Sequence, residues 1–294
     1  PEIVDFLMHY GDQFLGKTTV LCKDTPAFIA NRVGVYSIMS LLHLVEKMDL
    51  KVEEVDKYTG PVLGRPKSAT FRTTDVVGLD TMINVANGLY QNVPNDKAHA
   101  LFQLPGYVLK MKEKNWLGDK TKQGFYKKVK GENGKSEILA LDLKTLEYRP
   151  QEKVKSATLD GLKLIDNLRD RMKAYAKGTD RAGEFFRTAF FGLFEYVSDR
   201  IPEISDELYR IDDAMRAGFG WELGPFEVWD AIGISEALAG MKTLGNEAAP
   251  WVHEMLAAGH TSFYKVEDGV KKSNLIILCT PMSEYKNLIL KMNK

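Results

Sequence analysis

Apolar residues recur along the chain at the three-to-four-residue period of α-helices, and glycine and proline separate these stretches. An amphipathic helix is predicted at the beginning, from Ile3, Phe6, Leu7, Tyr10 and Phe14. A short β-type run at residues 18–22 follows, and then a long apolar helix over residues 26–48. This helix is predicted to begin at Thr25 and Pro26, because a hydroxyl can accept from a free N–H and proline lacks one.

The remaining pattern predicts a mainly α fold with one β-hairpin. The predicted hairpin pairs residues 125–129 with 138–143, around a glycine-containing turn at 131–134. Further helical segments are predicted at 53–58, at 69–90 with a break near Gly78, at 105–114, at 157–177 and from Phe185 to residue 197. An apolar run at 275–279 in the tail has no assignment.

The chain contains an internal repeat. A long apolar helix opens each half, from Phe28 and from Phe185. Two copies are too few for a solenoid, so they indicate a duplicated domain. The repeated motifs are Val55-Asp56 with Ile211-Asp212, Phe71…Asp75…Gly78 with Phe226…Asp230…Gly233, and Phe125-Tyr126-Lys127 with Phe263-Tyr264-Lys265.

Length and charge narrow the possible functions. A chain of 294 residues suggests about two domains, each able to bury a core. Its 40 basic side chains equal its 40 acidic ones, which argues against a nucleic-acid partner.

Cys22 and Cys279 fit no metal or redox spacing, so reduced thiols and a cytoplasmic location are expected. The apolar stretch at 33–45 is too short to span a bilayer. Because the chain begins at Pro1 inside a helical pattern, we expect it to be part of a longer protein.

Residues 16–35 resemble the junction between the two domains of the 3-hydroxyacyl-CoA dehydrogenase family. In that family, a run of the type G-K-x-P-V-x-x-x-D-x-P-G-F-I-x-N-R leaves the dinucleotide-binding domain and enters the helical C-terminal domain. The chain departs at Thr19, where the family has proline, and at Ala27, where it has glycine. It matches at Gly16, Lys17, Val20, Asp24, Pro26, Phe28, Ile29, Asn31 and Arg32.

The repeated motifs resemble the helical domain of the same family. Residues 224–233 match G-P-F-E-L-x-D-x-x-G closely, residues 68–78 match it loosely, and residues 121–126 resemble T-G-x-G-F-Y with Lys122 in place of a glycine. The resemblance implies two tandem 6-phosphogluconate-dehydrogenase-C-terminal-like helical domains, packed as a pseudo-dimer with a small β-hairpin in the linker region. The expected parts are a remnant of the NAD-binding domain at 1–24, a first C-terminal domain at 25–129, a linker with hairpin and helix at 130–178, a second, degenerate C-terminal domain at 179–268 and a tail at 269–294.

The resemblance implies the C-terminal part of an NAD-dependent 3-hydroxyacyl-CoA dehydrogenase of fatty-acid β-oxidation. Asn31 is then expected to bind the acyl substrate and to help position a catalytic histidine, since an amide can donate to a thioester carbonyl as negative charge develops. The alternative is that Asn31 satisfies nearby backbone groups. The second copy has Thr188, or nearby Arg187, at this place and is expected to be degenerate for chemistry.

Two features of the family are missing from this chain. Nothing resembles G-x-G-x-x-G after a strand, and none of the five histidines has an H-F-F-N-P context. We therefore expect no complete catalytic set, no cofactor-binding residues and no metal site, and the chain alone is predicted to be inactive. Lys17 and Arg32 are expected to be solvated or paired with carboxylates, and Asp75 and Asp230 to cap helix ends.

The resemblance to this family also implies which partners to expect. They are an acyl-CoA substrate in the intact protein, its own NAD-binding domain with NAD as cofactor, and an enoyl-CoA hydratase domain if the parent is of the longer, multifunctional type. Neither nucleic acid nor a membrane span is expected. Two other interpretations stay open: a non-enzymatic helical dimerisation or scaffold module, and the C-terminal domain of a related hydroxy-acid dehydrogenase.

Overall fold

A computed structural model describes residues 2–131 and 134–265 of the chain, and helices make up most of them. The helices are α1 (Glu2–His9), α2 (Ala30–Lys47), α3 (Val52–Thr59), α4 (Phe71–Val77), α5 (Leu79–Asn92), α6 (Gly106–Glu113), α7 (Ala157–Leu162), α8 (Leu168–Ala176), α9 (Arg181–Asp199), α10 (Leu208–Phe219), α11 (Pro225–Ile232), α12 (Ile234–Leu244) and α13 (Pro250–Ala257). The strands are β1 (Tyr126–Lys130), β2 (Ser136–Leu141) and β3 (Tyr148–Pro150). The predicted mainly α fold is confirmed.

The described residues form two compact units. Those up to Val33 and from Phe190 onward make the first, which we call the terminal unit; Gly34–Ala189 make the second, which we call the central unit. The boundaries fall inside the two longest helices, α2 and α9.

Aromatic side chains fill the core of the terminal unit. The rings of Phe194 and Trp229 stack with centroids 4.8 Å apart. Phe226 and Phe263 meet edge to face at 5.1 Å, and both are buried. Aromatic pairs in such geometries add to the stabilisation from buried area. These contacts join α9, α11 and the segment at Phe263, although the paired residues lie more than 30 positions apart in the sequence.

The central unit combines helices with the antiparallel sheet, whose strand order is β1-β2-β3. Tyr126 lies opposite Ala140, and Leu141 lies opposite Tyr148. The predicted hairpin is confirmed, but the third strand was not predicted. Three strands pair more of their backbone groups than a hairpin does, which stabilises a small sheet.

The segment at residues 18–22 was predicted as a strand, and this is wrong. Residues 16–23 form neither helix nor strand. The N–H of Lys23 donates to the carbonyl of Ile204 at 3.2 Å, and its carbonyl accepts from the N–H of Thr25 at 2.9 Å. A strand requires a neighbouring strand to pair its N–H and C=O groups, and none lies beside this segment in the described part of the chain.

The long apolar helix begins four residues later than predicted, at Ala30. Residues 25–28 form a turn in which the N–H of Phe28 donates to the carbonyl of Thr25 at 2.9 Å. Ala27 has φ 66° and Phe28 has φ 53°, a left-handed conformation that a right-handed helix excludes. The Thr25 hydroxyl is buried without a hydrogen-bond partner in the described residues, so the predicted cap is also wrong.

The segment 157–177 was predicted to be continuously helical, and it forms two helices, α7 and α8. The side chain of Ser156 accepts from the N–H of Leu159 at 3.0 Å, and that of Asn167 accepts from the N–H of Asp170 at 3.1 Å. Each is an N-cap, and the second cap begins a new helix. The apolar run at 275–279 lies outside the described residues.

Candidate functional site

Asp56 gathers four hydrogen bonds in the central unit. Its Oδ1 accepts from the N–H groups of Thr70 (3.0 Å) and Phe71 (2.6 Å), and its Oδ2 accepts from the N–H of Arg72 (3.0 Å) and the hydroxyl of Tyr126 (2.8 Å). The three N–H groups lie at the beginning of α4, where backbone donors have no partner within the helix. Asp56 of α3 therefore caps α4 from outside that helix.

Asp75 lies in α4 and joins this helix to β1. Its two carboxylate oxygens accept from the N–H groups of Phe125 and Tyr126, both at 2.8 Å. Tyr126 thus donates to one aspartate through its backbone and to the other through its hydroxyl. We call Asp56, Asp75 and Tyr126 the first Asp–Tyr network.

The terminal unit contains the same arrangement, made by the second copy of the repeated motifs. Asp212 is completely buried, and it accepts from the N–H groups of Phe226 and Glu227, both at 3.0 Å. The hydroxyl of Tyr264 also donates to it. Both N–H groups lie in the first turn of α11, so Asp212 caps α11 as Asp56 caps α4.

Asp230 has in the second copy the role that Asp75 has in the first. Its carboxylate accepts from the N–H of Phe263 at 2.7 Å and from the N–H of Tyr264 at 3.0 Å. We call Asp212, Asp230 and Tyr264 the second Asp–Tyr network. The repeat seen in the sequence is therefore a repeat of hydrogen-bond partners.

A glycine after each aspartate-bearing helix has the same backbone conformation in both copies. Gly78 has φ 104° and ψ 124°, and Gly233 has φ 105° and ψ 123°. Residues with a side chain rarely adopt these angles, so glycine is needed to end one helix and begin the next. The break predicted near Gly78 is confirmed.

Burial controls the proton affinity of these carboxyl groups. It raises the pKa of Asp56 to about 6 and that of Asp75 to about 6, although the hydrogen bonds from backbone N–H groups act in the opposite direction. The pKa of Asp212 is raised well above its usual value, first by burial and second by repulsion from the Glu227 carboxylate.

The Asp–Tyr networks stabilise the helical domains, since their polar atoms already bind one another. Burial, with the paired aspartates, raises the pKa of Tyr126 and of Tyr264, which keeps both hydroxyls as donors. The expectation that Asp75 and Asp230 cap the ends of their own helices is wrong. Their carboxylates instead accept from N–H groups far along the chain, because burial leaves these donors no water to bind.

The first turn of α2 exposes one polar side chain and buries the next. Asn31 is exposed, whereas Arg32 is 0 % exposed. The Arg32 guanidinium donates from Nε to the hydroxyl of Tyr196 at 2.8 Å, and its Nη2 lies 2.9 Å from Oε1 of Glu203. Glu203 also pairs with Arg200 at 2.6 Å. The carboxylate pairing expected for Arg32 is confirmed, and it anchors the beginning of α2.

Asn31 has the chemistry that its predicted role requires. Its amide lies at the beginning of α2, where the unpaired N–H groups of a helix favour negative charge. An exposed amide there can donate to a carbonyl oxygen of a bound molecule. At the corresponding place in the second copy, the Thr188 hydroxyl donates to the carbonyl of Glu184 at 2.9 Å, within α9.

The histidines have ordinary environments. His43 is half-buried, with Nε2 at 3.1 Å from the carbonyl oxygen of Leu101 and 3.0 Å from that of Gln103, in agreement with a packed helix residue. Of the other four, His9 and His253 are exposed, and His99 and His260 are half-buried.

Sequence reasoning missed the partners of Arg32. Tyr196 and Glu203 lie 164 and 171 residues away from it, so no local pattern connects them. The tyrosines of the two Asp–Tyr networks did leave a signal, the repeated Phe-Tyr-Lys motif, but their aspartate partners could not be inferred from spacing.

The described residues do not fit NAD. Their one sheet consists of three antiparallel strands, whereas a dinucleotide cradle rests on a parallel strand, a glycine-rich turn and a helix. In the same residues, no group of three or more His, Cys, Asp or Glu side chains could hold a metal ion. None of the helices in these described residues is both long and apolar enough to cross a bilayer.

The fold and the paired networks define a class: a helical domain present in two copies, each tied by an Asp–Tyr network. A family model described as "3-hydroxyacyl-CoA dehydrogenase, C-terminal domain" matches the chain at residues 28–128 and again at 205–271. Those segments cover more than half of the chain, and the chain belongs to the 3-hydroxyacyl-CoA dehydrogenase family.

Individual relatives agree with this assignment. A probable 3-hydroxyacyl-CoA dehydrogenase of Bacillus subtilis is 43% identical over 269 residues, which are 92% of this chain and 33% of that protein. A putative fatty acid oxidation complex trifunctional enzyme of Rickettsia prowazekii is 28% identical over 77% of this chain and 30% of its own length. The chain thus spans about a third of the length of these curated relatives.

Solved structures show the same fold. The crystal structure of 3-hydroxybutyryl-CoA dehydrogenase from Escherichia coli aligns with a TM-score of 0.55 at 17% identity. The alignment covers 83% of this chain and 63% of that one.

Proposed function

We propose that this chain is the C-terminal part of an NAD-dependent 3-hydroxyacyl-CoA dehydrogenase, which oxidises 3-hydroxyacyl-CoA to 3-ketoacyl-CoA in fatty-acid β-oxidation. The observation that carries the proposal is the first turn of α2, where an exposed Asn31 follows the turn that resembles the family's domain junction and Arg32 anchors the helix behind it. The B. subtilis relative, about three times as long, supports a larger parent.

In this proposal Asn31 forms part of the wall that meets the acyl substrate. Its amide N–H donates to the thioester carbonyl oxygen, where negative charge develops during the reaction. A donor fixed in advance lowers the energy of that charge without reorganisation. The ion pair of Arg32 with Glu203 supplies the fixed position.

NAD binding and the catalytic histidine belong, in this proposal, to an N-terminal domain outside this chain. The purified 294-residue chain, tested with 3-hydroxybutyryl-CoA and NAD, is expected to produce no NADH above a blank. NADH formation by this chain would contradict the proposal.

Substitution of Asn31 tests the role of this chain in the intact parent. The Asn31→Ala variant is expected to lower kcat by roughly a hundredfold to a thousandfold with little change in KM, as for the loss of one donor to a developing oxyanion. The matched variant in the second copy, Thr188→Ala, should leave both constants nearly unchanged. Normal turnover by Asn31→Ala would assign Asn31 a structural role.

The proposed partners are the acyl-CoA substrate, the protein's own NAD-binding domain and an enoyl-CoA hydratase domain. Two relatives are named as trifunctional enzymes of a fatty acid oxidation complex, which supports a multifunctional parent. A cytoplasmic location is proposed from the free thiol of Cys22, and no nucleic-acid partner is proposed because the charge is balanced.

We further propose that the two copies pack as a pseudo-twofold pair within one chain. Each copy opens with an apolar helix, and one small helical domain covers only one side of such a helix. A tethered second copy can cover the other side, and the tether makes this contact intramolecular. Sedimentation should therefore show one compact species that is unchanged on dilution. An experimental structure with the copies related by translation alone would contradict this arrangement.

A further inference from the structure

A cavity of about 760 Å³ opens in the central unit beside the first Asp–Tyr network. Its volume is within the range of pockets that hold small molecules. Part of its wall is apolar, and these residues come from the turn after α3, from β2 and from α7: Pro61, Val62, Ile138, Leu159 and Leu162.

The rest of the wall is strongly basic. Arg72 and Lys163 are neutralised, since each pairs with a carboxylate outside the wall, Asp119 and Asp160. The remaining basic residues of the wall are Lys57, Lys67 and Arg171.

These three cations keep their charge unopposed. In the described residues, neither Lys57 nor Lys67 takes part in an ion pair, and both are exposed. The Arg171 guanidinium donates to the carbonyl oxygens of Ile165 (2.9 Å) and Asp166 (3.0 Å), which carry no net charge. The cavity therefore presents three positive charges that no carboxylate neutralises.

The two acidic residues of the wall do not cancel this charge. Glu53 is buried and pairs with Arg149 at 2.6 Å. Asp56 carries at most one negative charge against the three positive ones, and its oxygens already accept four hydrogen bonds, from three backbone N–H groups and the Tyr126 hydroxyl. A positive field next to an apolar wall thus remains.

We propose that this cavity binds a phosphate-bearing amphiphile, with the phosphate at Lys57, Lys67 and Arg171 and the apolar part along Leu159 and Leu162. Lysine and arginine bind phosphate oxygens with charge-assisted hydrogen bonds. An apolar chain gains free energy by leaving water for the wall. The site does not depend on Asn31, and this proposal goes beyond the proposed dehydrogenase function.

Octyl phosphate is the probe, and calorimetry with the 294-residue chain at low salt is the measurement. We expect saturable binding at one site that weakens as salt is added, because the charges lie near the surface. Inorganic phosphate lacks the apolar part, and octyltrimethylammonium has the opposite charge. Both should bind at least about tenfold more weakly than octyl phosphate.

Substitutions that reverse the charge of two lysines in the wall test whether octyl phosphate binds at this cavity. Octyl phosphate should bind the double variant Lys57→Glu, Lys67→Glu at least about tenfold more weakly, whereas Lys112→Glu, an exposed lysine of α6 outside the wall, should bind as the unchanged chain does. Circular dichroism confirms that each variant is folded. No saturable binding, equal binding of the ammonium compound, or unchanged binding by the double variant would overturn the proposal.

Competition identifies the source of the ligand. If octanoyl-CoA displaces octyl phosphate and the displacement is lost in the double variant, the ligand is a CoA thioester. If it does not displace the probe while the other results hold, the ligand is another phosphorylated lipid. Either result is independent of Asn31→Ala kinetics, so this proposal and the proposed function can fail separately.

Discussion

The two Asp–Tyr networks have the same hydrogen-bond plan and different surroundings. Asp212 is completely buried next to the carboxylate of Glu227, whereas Asp56 is half-buried and lines a cavity. The second copy retains its network although it lacks the Asn-Arg pair. The networks therefore maintain the helical domain itself, and Asn31 and Arg32, present in one copy only, serve a different purpose.

The largest expected effect comes from removing the capping aspartate of the second copy. Asp212→Ala leaves three donors without an acceptor in a fully buried place, so we expect a loss of about 3–5 kcal/mol in the free energy of unfolding. Asp56→Ala removes four hydrogen bonds, but Asp56 itself is half-buried, so water can take the place of its carboxylate, and a loss of about 2–3 kcal/mol is expected. Urea unfolding measures both.

The relative size of the losses in the free energy of unfolding for Asp212→Ala and Asp56→Ala tests whether burial distinguishes the two networks. If Asp56→Ala destabilised the protein as much as Asp212→Ala, burial would not be what separates the two networks. A charge-removing control on the surface, Asp160→Ala, should change the free energy of unfolding by less than about 1 kcal/mol, since its partner Lys163 is exposed.

The dependence of stability on pH is the next largest effect. An aspartate whose pKa rises on folding, as for Asp75 to about 6 from 3.8, binds its proton more tightly in the folded state. Its contribution is fully present below the unfolded value and is lost as the pH rises through about 6. Asparagine resembles the neutral carboxyl. Relative to Asp75→Asn, the unchanged protein should therefore lose about 2–3 kcal/mol between about pH 4 and pH 7.

The free energy of unfolding of the unchanged protein must be compared with that of Asp75→Asn at each pH, because other titratable groups change stability with pH in the opposite direction. Hydrogen bonds from Thr158, Ser156 and Gly183 outweigh partial burial at Asp180 and lower its pKa to about 2, so its contribution is lost at low pH instead. Unfolding curves at several pH values give the difference. If the two proteins kept a constant difference from pH 4 to pH 7, burial would not control the ionisation of Asp75.

A smaller effect is expected at the anchor of α2. Tyr196→Phe removes the acceptor of the buried Arg32 Nε–H and should lower the free energy of unfolding by about 1–2 kcal/mol. The control Tyr209→Phe removes a hydroxyl from a half-buried place and should cost less than about 0.5 kcal/mol. If urea unfolding showed equal losses for Tyr196→Phe and Tyr209→Phe, the hydrogen bond from Arg32 to Tyr196 would contribute no more to stability than an ordinary contact near the surface.

The smallest effect concerns the turn before α2. Ala27 has φ 66°, in the left-handed region, and stands where the family resemblance has glycine. Ala27→Gly should relieve strain and raise the free energy of unfolding by about 0.5 kcal/mol, after the entropy that glycine loses on folding. Ala30→Gly, at the first residue of α2, should lower it by less than about 1 kcal/mol, the cost of glycine inside a helix. A lower urea midpoint for Ala27→Gly would contradict this explanation.

Most of the helices could be predicted because their apolar period is local. The break at Gly78 and the hairpin were also within reach, since glycine and alternating residues mark them. The strand expected at residues 18–22 could not be tested by pattern alone, because strand formation depends on a neighbour elsewhere in the protein. The beginning of α2 was misplaced because Thr25 and Pro26 form a good start signal that the left-handed Ala27 overrides.

The candidate site also has parts that could be predicted from the sequence and parts that could not. Asn31 was singled out from residues that adjoin it in the sequence, and its predicted role in substrate binding stays a prediction. The sequence by itself determined most of the helices, the duplication and the family, because these follow from the spacing and order of residues. Only the tertiary structure decided which aspartate meets which tyrosine and that Tyr196 and Glu203 bind Arg32. Those choices depend on burial, which brings together groups far apart in the chain and leaves them no water as an alternative partner.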